Sequence, residues 1–380
     1  MKLLEYQAKE ILSSLGIAIP RGAVARTPDE AAAACARLGP VAVKAQVPVG
    51  GRGKAGGIKL AHTPEEARAA AQQIIGMEIK GFRVPLVYCE TALDIAREIY
   101  VGFTVDRDAR ANVLLLSAKG GMDIEQVAEE SPAAIARLYP NPWRGLLDFE
   151  LTQLAFDAGL GELVRPLSAV IKKLYRAIPE YDALTTEINP LVVTPSGDVI
   201  AGDAKLEIDD NAAWRHRDLE QKYGSVIEGD PYEVEAKKRG LTYVSLDGEI
   251  GIIGNGAGLC MGTLDLVQRA GGHAANFCDI GGGAKAEVVE NALAVILMNP
   301  RVKGVLINVF GGITRGDEVA KGIVTARDNL HMNLPLVVRL SGTNEEEGRA
   351  ILKQHGIEPG ASAWEAAQKI VELTRAGARA

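Results

Sequence analysis

The chain has 380 residues, of which 47% are apolar and 24% are charged, and its formal net charge is −7 at pH 7. This acidic balance, with only 5% aromatic residues, excludes the basic, aromatic-rich surface typical of nucleic-acid-binding proteins. No apolar run reaches the length of a membrane span, charges at Glu5, Lys9 and Glu10 interrupt any signal peptide, and the four cysteines form no CxxC pair. We therefore expect a cytoplasmic protein with reduced thiols and with neither a nucleic acid nor a membrane as partner.

The first part of the chain shows the patterns of helices and antiparallel hairpins. Apolar residues at helical spacing predict an amphipathic helix over residues 3–15. The segment 41–47 is typical of a short strand, and 56–61 of its return strand. Two longer pairs of alternating runs, 96–121 and 184–208, predict two further hairpins. We therefore expect an α+β domain here.

The second part of the chain has a different pattern. After a charged helical segment at 228–240, a strand, a glycine-rich loop and a helix follow one another four times. Strands that alternate with helices, with Gly or Asn where the strands end, are typical of a parallel, doubly wound sheet. We place the boundary near residue 236, which gives domains 1–236 and 237–380.

The sequence QVPVGGRGKAGG, residues 46–57, is rich in glycine and in cations. The phosphate loop GxxxxGK[ST] does not fit it, because Pro48 stands at the first glycine and Ala55 at the hydroxyl position. The dinucleotide pattern GxGxxG matches in letters, but no helix is predicted after it. Two interpretations remain. The segment is either a turn between strands that binds phosphate through backbone N–H groups and the charges of Arg52 and Lys54, with Lys44 in the preceding strand, or a flexible turn with solvated cations.

The hairpin predicted at 184–208 carries acidic residues. If its turn is at 194–198, directly opposed residues have numbers that add to a constant, so Asn189 faces Asp203 and Glu187 faces Lys205. All four side chains then share one face, although the proline after Asn189 could interrupt the pairing with a bulge. Carboxylate and amide oxygens on one face suit Mg²⁺ that carries phosphates. A solvated polar strand face is the alternative.

Six parts of the sequence, taken in chain order, carry a family likeness: EYQAKEILSSLGI, VAVKAQVPVGGRGKAGGIKL, EINPLVV with GDVIAGDAKL, NGAGLCMGTLDLV, ANFCDIGGGA and INVFGGITRGDEVAKGIV. Together they resemble the β subunit of succinyl-CoA synthetase (succinate–CoA ligase), over essentially the whole chain. The resemblance implies an α/β fold class, with an α+β ATP-grasp domain of antiparallel hairpins followed by a flavodoxin-like domain with a doubly wound parallel sheet.

The resemblance also implies which residues form the sites. It assigns nucleotide binding to Lys44, Gly51, Arg52, Gly53, Glu90, Leu93 and Glu98. It assigns Mg²⁺ to Asn189 and Asp203, the pair that the hairpin register also brings together, and it makes Glu187 the catalytic acid that meets a phosphohistidine. It assigns the carboxylate substrate to Asn255, Gly312, Ile313 and Thr314, in loops where a doubly wound sheet binds ligands.

The implied reaction is reversible: succinate, CoA and ATP, or GTP, give succinyl-CoA, ADP or GDP, and phosphate. The phosphoryl group passes through a phosphohistidine. In the family, that histidine and the CoA site belong to a separate α subunit, in an αβ or α₂β₂ assembly. None of the five histidines of this chain stands in a motif that matches the phosphorylated one. We therefore expect catalysis to need an α subunit.

The sequence departs from the family pattern in three places. Leu93 stands where many relatives have a small polar residue near the nucleotide base, and Pro48 with Val49 replaces a more usual His-Ala in the glycine loop. Both leave the preference between ATP and GTP open. Gly316 replaces a common cysteine beside the substrate loop, which weakens the assignment of succinate.

Three alternatives stay open. A malate–CoA ligase β subunit is closely similar; the segments ETALD (90–94) and DAKLEIDDNA (203–212) favour it, whereas FGGITR (310–315) favours succinate. A non-catalytic scaffold subunit would keep the fold and lose turnover, but the nucleotide and metal residues are retained. A stand-alone ATP-grasp carboxylate–amine ligase would not need the second domain.

Overall fold

The computed structural model describes residues 1–224, 230–283, 285–357 and 359–377. Its residue contacts divide the chain into two units, Met1–Glu228 and Gly229–Ala380. This division falls eight residues before the boundary proposed at 236. Residue 236 lies in the helix Pro231–Lys238, where the side chain of Ala236 is buried in the apolar core of the second unit.

The first unit combines helices with antiparallel sheets. Its helices are α1 (Glu5–Ser14), α2 (Pro28–Leu38), α3 (Pro64–Ile74), α4 (Ile124–Glu130), α5 (Asp148–Asp157), α6 (Val164–Tyr175), α7 (Ala177–Tyr181) and α8 (Arg217–Tyr223), with 3₁₀ turns at Pro132–Ala134, Gly161–Leu163 and Asp210–Arg215. Its strands are β1 (Gly22–Ala25), β2 (Val41–Ala45), β3 (Ile58–Ala61), β4 (Glu78–Ile79), β5 (Phe82–Arg83), β6 (Val87–Thr91), β7 (Arg97–Asp106), β8 (Ala111–Ser117), β9 (Ala136–Leu138), β10 (Ala183–Val193), β11 (Val199–Ala201) and β12 (Lys205–Ile208).

Two larger sheets organise this unit. One has the strand order β1-β6-β2-β3, and the other has the order β11-β10-β7-β8-β9 with β12 also paired to β10. All of these pairs are antiparallel, as is the small β4–β5 pair. Helices α2 and α3 pack on the first sheet, and α1, α5 and α6 contribute apolar side chains to the core of the second. The α+β architecture predicted for this part is therefore confirmed.

The individual elements predicted for the first part are also present. The N-terminal helix is α1, the strand and its return strand are β2 and β3, and the two hairpins are β7–β8 and β10 with β11 and β12. Helices α2 and α3 begin where Thr27 and Thr63 accept hydrogen bonds from the backbone N–H groups of Glu30 and Glu66, at 3.2 Å each. A proline follows each threonine, as is usual at the first position of a helix.

The second unit repeats strands and helices. Its helices are α9 (Pro231–Lys238), α10 (Ala257–Arg269), α11 (Ala286–Leu297), α12 (Gly316–Asn329), α13 (Glu345–Gln354) and α14 (Ala363–Gly377). Its strands are β13 (Thr242–Ser245), β14 (Ile250–Gly254), β15 (Asn276–Asp279), β16 (Gly304–Gly311) and β17 (Leu336–Gly342).

The sheet of the second unit has the order β13-β15-β14-β16-β17. Strands β14, β15, β16 and β17 run parallel, whereas the edge strand β13 pairs antiparallel with β15. Apolar residues of α10 and α14 cover one face, and those of α11 and α12 cover the other. The doubly wound sheet is thus confirmed, with β13 as an antiparallel addition. In the described ranges, no helix has the length and apolar character needed to cross a membrane.

Candidate functional site

A polar cavity of about 600 Å³ lies in the first unit. It brings together the glycine loop and the acidic hairpin, which are far apart in the sequence. Seven of the candidate residues line it: Gly51, Arg52, Gly53, Glu98, Glu187, Asn189 and Asp203. The wall also includes Lys54, Lys80, Asp123, Glu125 and Lys205. Cations and carboxylates that face one another across a cavity can bind an anionic ligand together with a cation.

The acidic hairpin has the predicted register on both sides of an interruption. Val193 pairs with Val199, and Glu187 pairs with Lys205. Asn189 and Asp203 are not a ladder pair, because β11 ends at 201 and β12 begins only at 205. The register predicted for the hairpin is the same on both sides of this gap, so their direct opposition stays a prediction, and both residues line the same cavity.

The interruption has a chemical cause. Gly202 donates its N–H to the carbonyl of Pro190 at 2.9 Å, but a proline has no N–H to return. The carbonyl of Gly202 instead accepts hydrogen bonds from the ammonium groups of Lys9 and Lys44, at 2.9 and 2.6 Å. The break in the strand pair thus fixes two cations behind the cavity.

Asp203 and Asn189 are both held by hydrogen bonds. Arg52 Nη2 donates to Asp203 Oδ1 and Oδ2 at 2.8 and 2.6 Å. Asn189 Oδ1 accepts from the N–H of Gly121 at 2.8 Å, and its Nδ2 donates to the carbonyl of Met122 at 2.8 Å. The two oxygen ligands proposed for a metal are therefore fixed in the cavity wall.

Lys44 lies beneath this wall in a buried network of charges. Its ammonium group is 2.9 Å from Glu5 Oε1 and 2.5 Å from Glu90 Oε1. Lys9, which is fully buried, also pairs with both carboxylates. Arg52 joins the network to Asp203, so three cations balance three carboxylates. The buried lysine therefore has anionic partners, as a charge removed from water requires.

Burial and charge shift the pKa values of these groups in opposite directions. Burial alone would raise the pKa of the Glu5 carboxyl, but Arg52, Lys44 and Lys9 hold it well below its usual range. Burial raises the pKa of Glu187, and the nearby carboxylate of Glu125 adds to this increase while Lys205 opposes it. Glu187 therefore holds a proton more readily than an exposed glutamate does.

Three candidate nucleotide residues lie outside the lining of this cavity. Lys44 and Glu90 are 8% and 3% exposed and pair with each other. Leu93 is half-buried in the segment between β6 and β7. The structure thus groups the candidates into residues on the cavity wall, a buried ion pair behind it, and Leu93 apart from both.

The candidate carboxylate residues come together in the second unit. Asn255 follows β14 and donates from Nδ2 to the carbonyl of Phe310 at 2.9 Å and to Thr314 Oγ1 at 3.1 Å. Thr314 Oγ1 also accepts from the N–H of Gly283 at 2.9 Å. Gly312 and Ile313 are exposed beside them, and Ile313 is 83% exposed. The loop thus has an exposed tip on a buried hydrogen-bonded base.

Two family models match the chain: "ATP-grasp domain" over residues 2–193 and "CoA-ligase" over residues 253–371. The GDP-forming succinate–CoA ligase subunit beta of Thermus thermophilus is 52% identical over 374 residues, which cover 98% of this chain and 99% of that protein. The chain belongs to the succinate–CoA ligase β-subunit family. It is a ligase with an ATP-grasp nucleotide-binding domain and a CoA-ligase domain.

Other relatives agree with this family. The ADP-forming succinate–CoA ligase subunit beta of Rubrobacter xylanophilus is 48% identical over 382 residues, covering 99% of this chain and 100% of that protein. A solved structure of ATP citrate lyase from Methanothrix soehngenii is similar with a TM-score of 0.71 and 20% identity, and 99% of each chain is covered. That structure supports the fold only.

Sequence reasoning missed two residues of this ligase, Glu5 and Lys9. The helical spacing predicts only the apolar face of α1, yet the side chains of both residues are buried as well. Their spacing was a usable signal, because residues four apart lie on one helix face, and Leu12 continues that face into the core. A carboxylate and an ammonium group on a buried face need charged partners from elsewhere in the chain.

Gly121 was also missed. Its φ is +71°, and a Cβ at this position would lie 2.5 Å from Glu98 Oε2. Its N–H donates to Asn189, so the residue touches two of the candidate side chains. Two adjacent glycines, which begin three residues after the end of β8, were the available signal, since glycine allows such close backbone approach.

In the second unit, Thr343 was missed as a support of the substrate loop. Its N–H donates to the carbonyl of Gly311 at 3.0 Å, and its Oγ1 donates to the carbonyl of Gly312 at 2.9 Å. Its own carbonyl accepts from the N–H of Gly316 at 2.9 Å. These three bonds fix both ends of the loop that carries Ile313 and Thr314. No local pattern in the sequence pointed to them.

Proposed function

We propose that this chain is the nucleotide-binding β subunit of a succinate–CoA ligase. It would couple ATP or GTP to the reversible formation of succinyl-CoA from succinate and CoA, through a phosphohistidine on an α subunit. The observation that carries the proposal is the cavity in which Arg52, Glu187, Asn189 and Asp203 meet. The relatives described above include both GDP-forming and ADP-forming enzymes, so the choice of nucleotide stays open.

The residues of the cavity fit a magnesium ion that arrives with a nucleotide. Asp203 and Asn189 supply a carboxylate and an amide oxygen, which are ligands that Mg²⁺ prefers. Among the described residues, no group of three or more His, Cys, Asp or Glu side chains could hold a metal ion. A site with so few protein ligands is typical of Mg²⁺ that is bound in part by phosphates. When bound, magnesium would neutralise charge on the phosphates.

The chain's own groups would position the phosphates. Gly51, Gly53 and the guanidinium of Arg52 line the same cavity as residues of the acidic hairpin. We assign Glu187, whose pKa is raised by burial, to the contact with a ring nitrogen of the partner's histidine. A carboxyl group that readily holds a proton can orient an imidazole by hydrogen bonding.

The phosphohistidine is assigned to a partner because of where the chain's histidines lie. All five are within the described ranges, and none of them lines the cavity. The nearest to an acidic partner is His216, whose Nε2 lies 2.8 Å from Asp182 Oδ2 on another part of the unit. The phosphoryl acceptor is therefore expected from an α subunit that also carries the CoA site.

The carboxylate of succinate is assigned to the loop after β16. Gly312 and Ile313 are exposed at its tip, so their backbone N–H groups are suited to a carboxylate, while Asn255 and Thr314 hold the loop from below. Loops that follow adjacent parallel strands are where doubly wound sheets bind ligands.

Turnover with the α subunit tests this function. The chain is co-purified with an α-type subunit, and acyl-CoA formation is measured with succinate and with malate. We expect formation of succinyl-CoA that depends on Mg²⁺ and on ATP or GTP. Equal or faster turnover of malate would make the chain a malate–CoA ligase subunit. Absence of nucleotide binding by the folded full chain would make it a scaffold.

A further inference from the structure

The two terminal nitrogens of the Arg52 guanidinium have different surroundings: Nη1 bonds to buried groups, and Nη2 bonds to a partly exposed carboxylate. Its Nη1 donates to Glu5 Oε2 at 2.6 Å and to the carbonyl of Ala45 at 3.1 Å, and the Glu5 side chain is 1% exposed. Its Nη2 donates to both oxygens of Asp203, whose side chain is 28% exposed. Glu5 also lines the cavity, but far less of its side chain is exposed than of Asp203. A ligand in the cavity can therefore compete for Asp203 more readily than for Glu5.

We propose that Arg52 is an exchangeable counter-ion of Asp203. Before a nucleotide binds, the guanidinium pairs with the Asp203 carboxylate. When a nucleotide binds, a divalent cation coordinates this carboxylate instead. After the exchange, Glu5 and Ala45 keep Nη1 in place, and Nη2 is free to donate to the phosphates. This inference rests on the proposed function, because it takes Asp203 as a ligand of the cation.

The charge balance of the site gives the exchange a direction. In the structure, Lys9, Lys44 and Arg52 are balanced by Glu5, Glu90 and Asp203. A divalent cation alone would add positive charge beside Arg52 and would have to displace it without giving it a new partner. Phosphates that arrive with the cation supply that partner.

The exchange therefore makes the cation and the nucleotide dependent on each other. A cation alone competes with the guanidinium, and a nucleotide alone finds Nη2 already engaged with Asp203. Each ligand removes the obstacle to the other, and by linkage both affinities change by the same factor. The device explains why a site with one carboxylate and one amide would bind its metal chiefly in company with phosphates.

A simpler account must be separated from this one. The cation could bind beside an unmoved Arg52, whose positive charge would then only repel it through space. The lysine variant Arg52→Lys distinguishes the two, because it keeps the charge and loses the planar fork that reaches both Glu5 and Asp203 at once. The variant Lys54→Met is the matched control, since Lys54 is on the same cavity wall but makes no hydrogen bond to Asp203.

The test measures the affinity of the full chain for Mn²⁺ by electron paramagnetic resonance, with and without ADP. Exchange predicts that Arg52→Lys binds Mn²⁺ without ADP roughly tenfold to a hundredfold more tightly than the wild type, the range of one charge-assisted contact. Lys54→Met should change this affinity by less than about threefold, as a screened charge does. Arg52→Gln, expected to bind Mn²⁺ at least as tightly as Arg52→Lys, serves if the lysine variant does not fold.

Two results would overturn the exchange: equal Mn²⁺ affinity of Arg52→Lys and wild type, or an equal gain in Lys54→Met. The coupling between ADP and Mn²⁺ should also be weaker in Arg52→Lys than in the wild type, and an unchanged coupling contradicts the proposal. The variant Asp203→Asn distinguishes a failure of the exchange from a failure of the proposed metal site. If Asp203→Asn leaves Mn²⁺ binding in the presence of ADP unchanged, the metal site of the proposed function is wrong. If Asp203→Asn abolishes Mn²⁺ binding while Arg52→Lys binds Mn²⁺ as the wild type does, only the exchange is wrong.

Discussion

A single proline shapes the chemistry of the strand that carries Glu187 and Asn189. Because Pro190 lacks an N–H, the carbonyl of Gly202 accepts from Lys9 and Lys44 rather than from the neighbouring strand. The residue thereby interrupts the strand pair where the metal ligands are proposed and supplies an acceptor for two buried cations. One residue links the cavity wall to the charges behind it.

Gly121 allows a sharp test at the residue scale. Gly121→Ala should lower the free energy of unfolding by about 1–3 kcal/mol, because a φ of +71° strains alanine and its Cβ would lie 2.5 Å from Glu98 Oε2. It should also weaken nucleotide binding, since Glu98 and Asn189 would have to move. Urea unfolding and calorimetric titration with ADP and Mg²⁺ measure the two effects.

Gly159→Ala is the matched control for this change. Gly159 also has a φ of +71°, but nothing lies within 4 Å of its Cβ position. It should lose about 1–2 kcal/mol from backbone strain alone and should bind ADP as the wild type does. Equal nucleotide affinity in the two variants would mean that Gly121 has no part in the site.

At the scale of elements, helix α1 carries one glutamate on a buried face and one on an exposed face. Glu5 is buried against Lys9, Lys44 and Arg52, whereas the Glu10 side chain is 48% exposed and pairs with Lys222. A buried carboxylate removed from an ion network leaves cations without partners in a medium that solvates them poorly. An exposed ion pair contributes much less.

The two faces of α1 predict unequal effects of the same substitution. Glu5→Ala should lower the free energy of unfolding by about 3–5 kcal/mol, because three buried cations lose a shared partner. Glu10→Ala should lower it by about 1 kcal/mol or less. Urea unfolding of both variants measures the difference, and similar values would contradict the role of Glu5 as the centre of the network.

The start of α12 is tied to the segment before α13 by Asp317. Its carboxylate accepts from Arg315 Nη2 at 2.9 Å and from Asn344 Nδ2 at 2.9 Å. These hydrogen bonds hold the pKa of Asp317 well below its usual range, and the bond from Arg315 has the largest effect. A carboxyl group with a lowered pKa in the folded state stabilises the fold above its ordinary pKa, and this contribution is lost as the pH falls.

Asp317→Asn should therefore destabilise the protein in a pH-dependent way. The loss in unfolding free energy should be largest near neutral pH and should shrink as the pH falls from about 5 towards 2, across the ordinary aspartate pKa of about 3.9. Urea unfolding over this range measures it. Asp328→Asn is the control on the same helix, because its side chain is 61% exposed and its removal should change the stability little. A pH-independent loss in Asp317→Asn would contradict the charge argument.

For the whole molecule, patterns local in the sequence predicted the elements well. Helical spacing gave α1, alternation gave the hairpins, and the repeated strand–loop–helix pattern gave the doubly wound sheet. The hairpin register followed from the turn position, because one turn fixes every later pair until a residue such as Pro190 breaks the ladder. The antiparallel edge strand β13 had no pattern that distinguished it.

Contacts between distant segments could not be predicted in this way. Arg52 and Asp203 are 151 residues apart, and Lys44 and Glu5 are 39 apart. Their pairing depends on how the two sheets of the first unit pack, which no local spacing records. The resemblance brought the candidate residues together as a set, whereas the structure shows which of them line a cavity and which are buried behind it.

In the proposed function, the first unit delivers a phosphoryl group from a magnesium nucleotide to a histidine of the α subunit. The most direct measurement incubates the chain and its α subunit with Mg²⁺ and ATP or GTP labelled at the γ-phosphate, and locates the acid-labile label. With the wild-type chain, we predict label on an α-subunit histidine. With the variant Asp203→Ala or Asn189→Ala, each still folded, we predict no label there. Label on this chain, or undiminished label on the α subunit with either variant, would contradict the account.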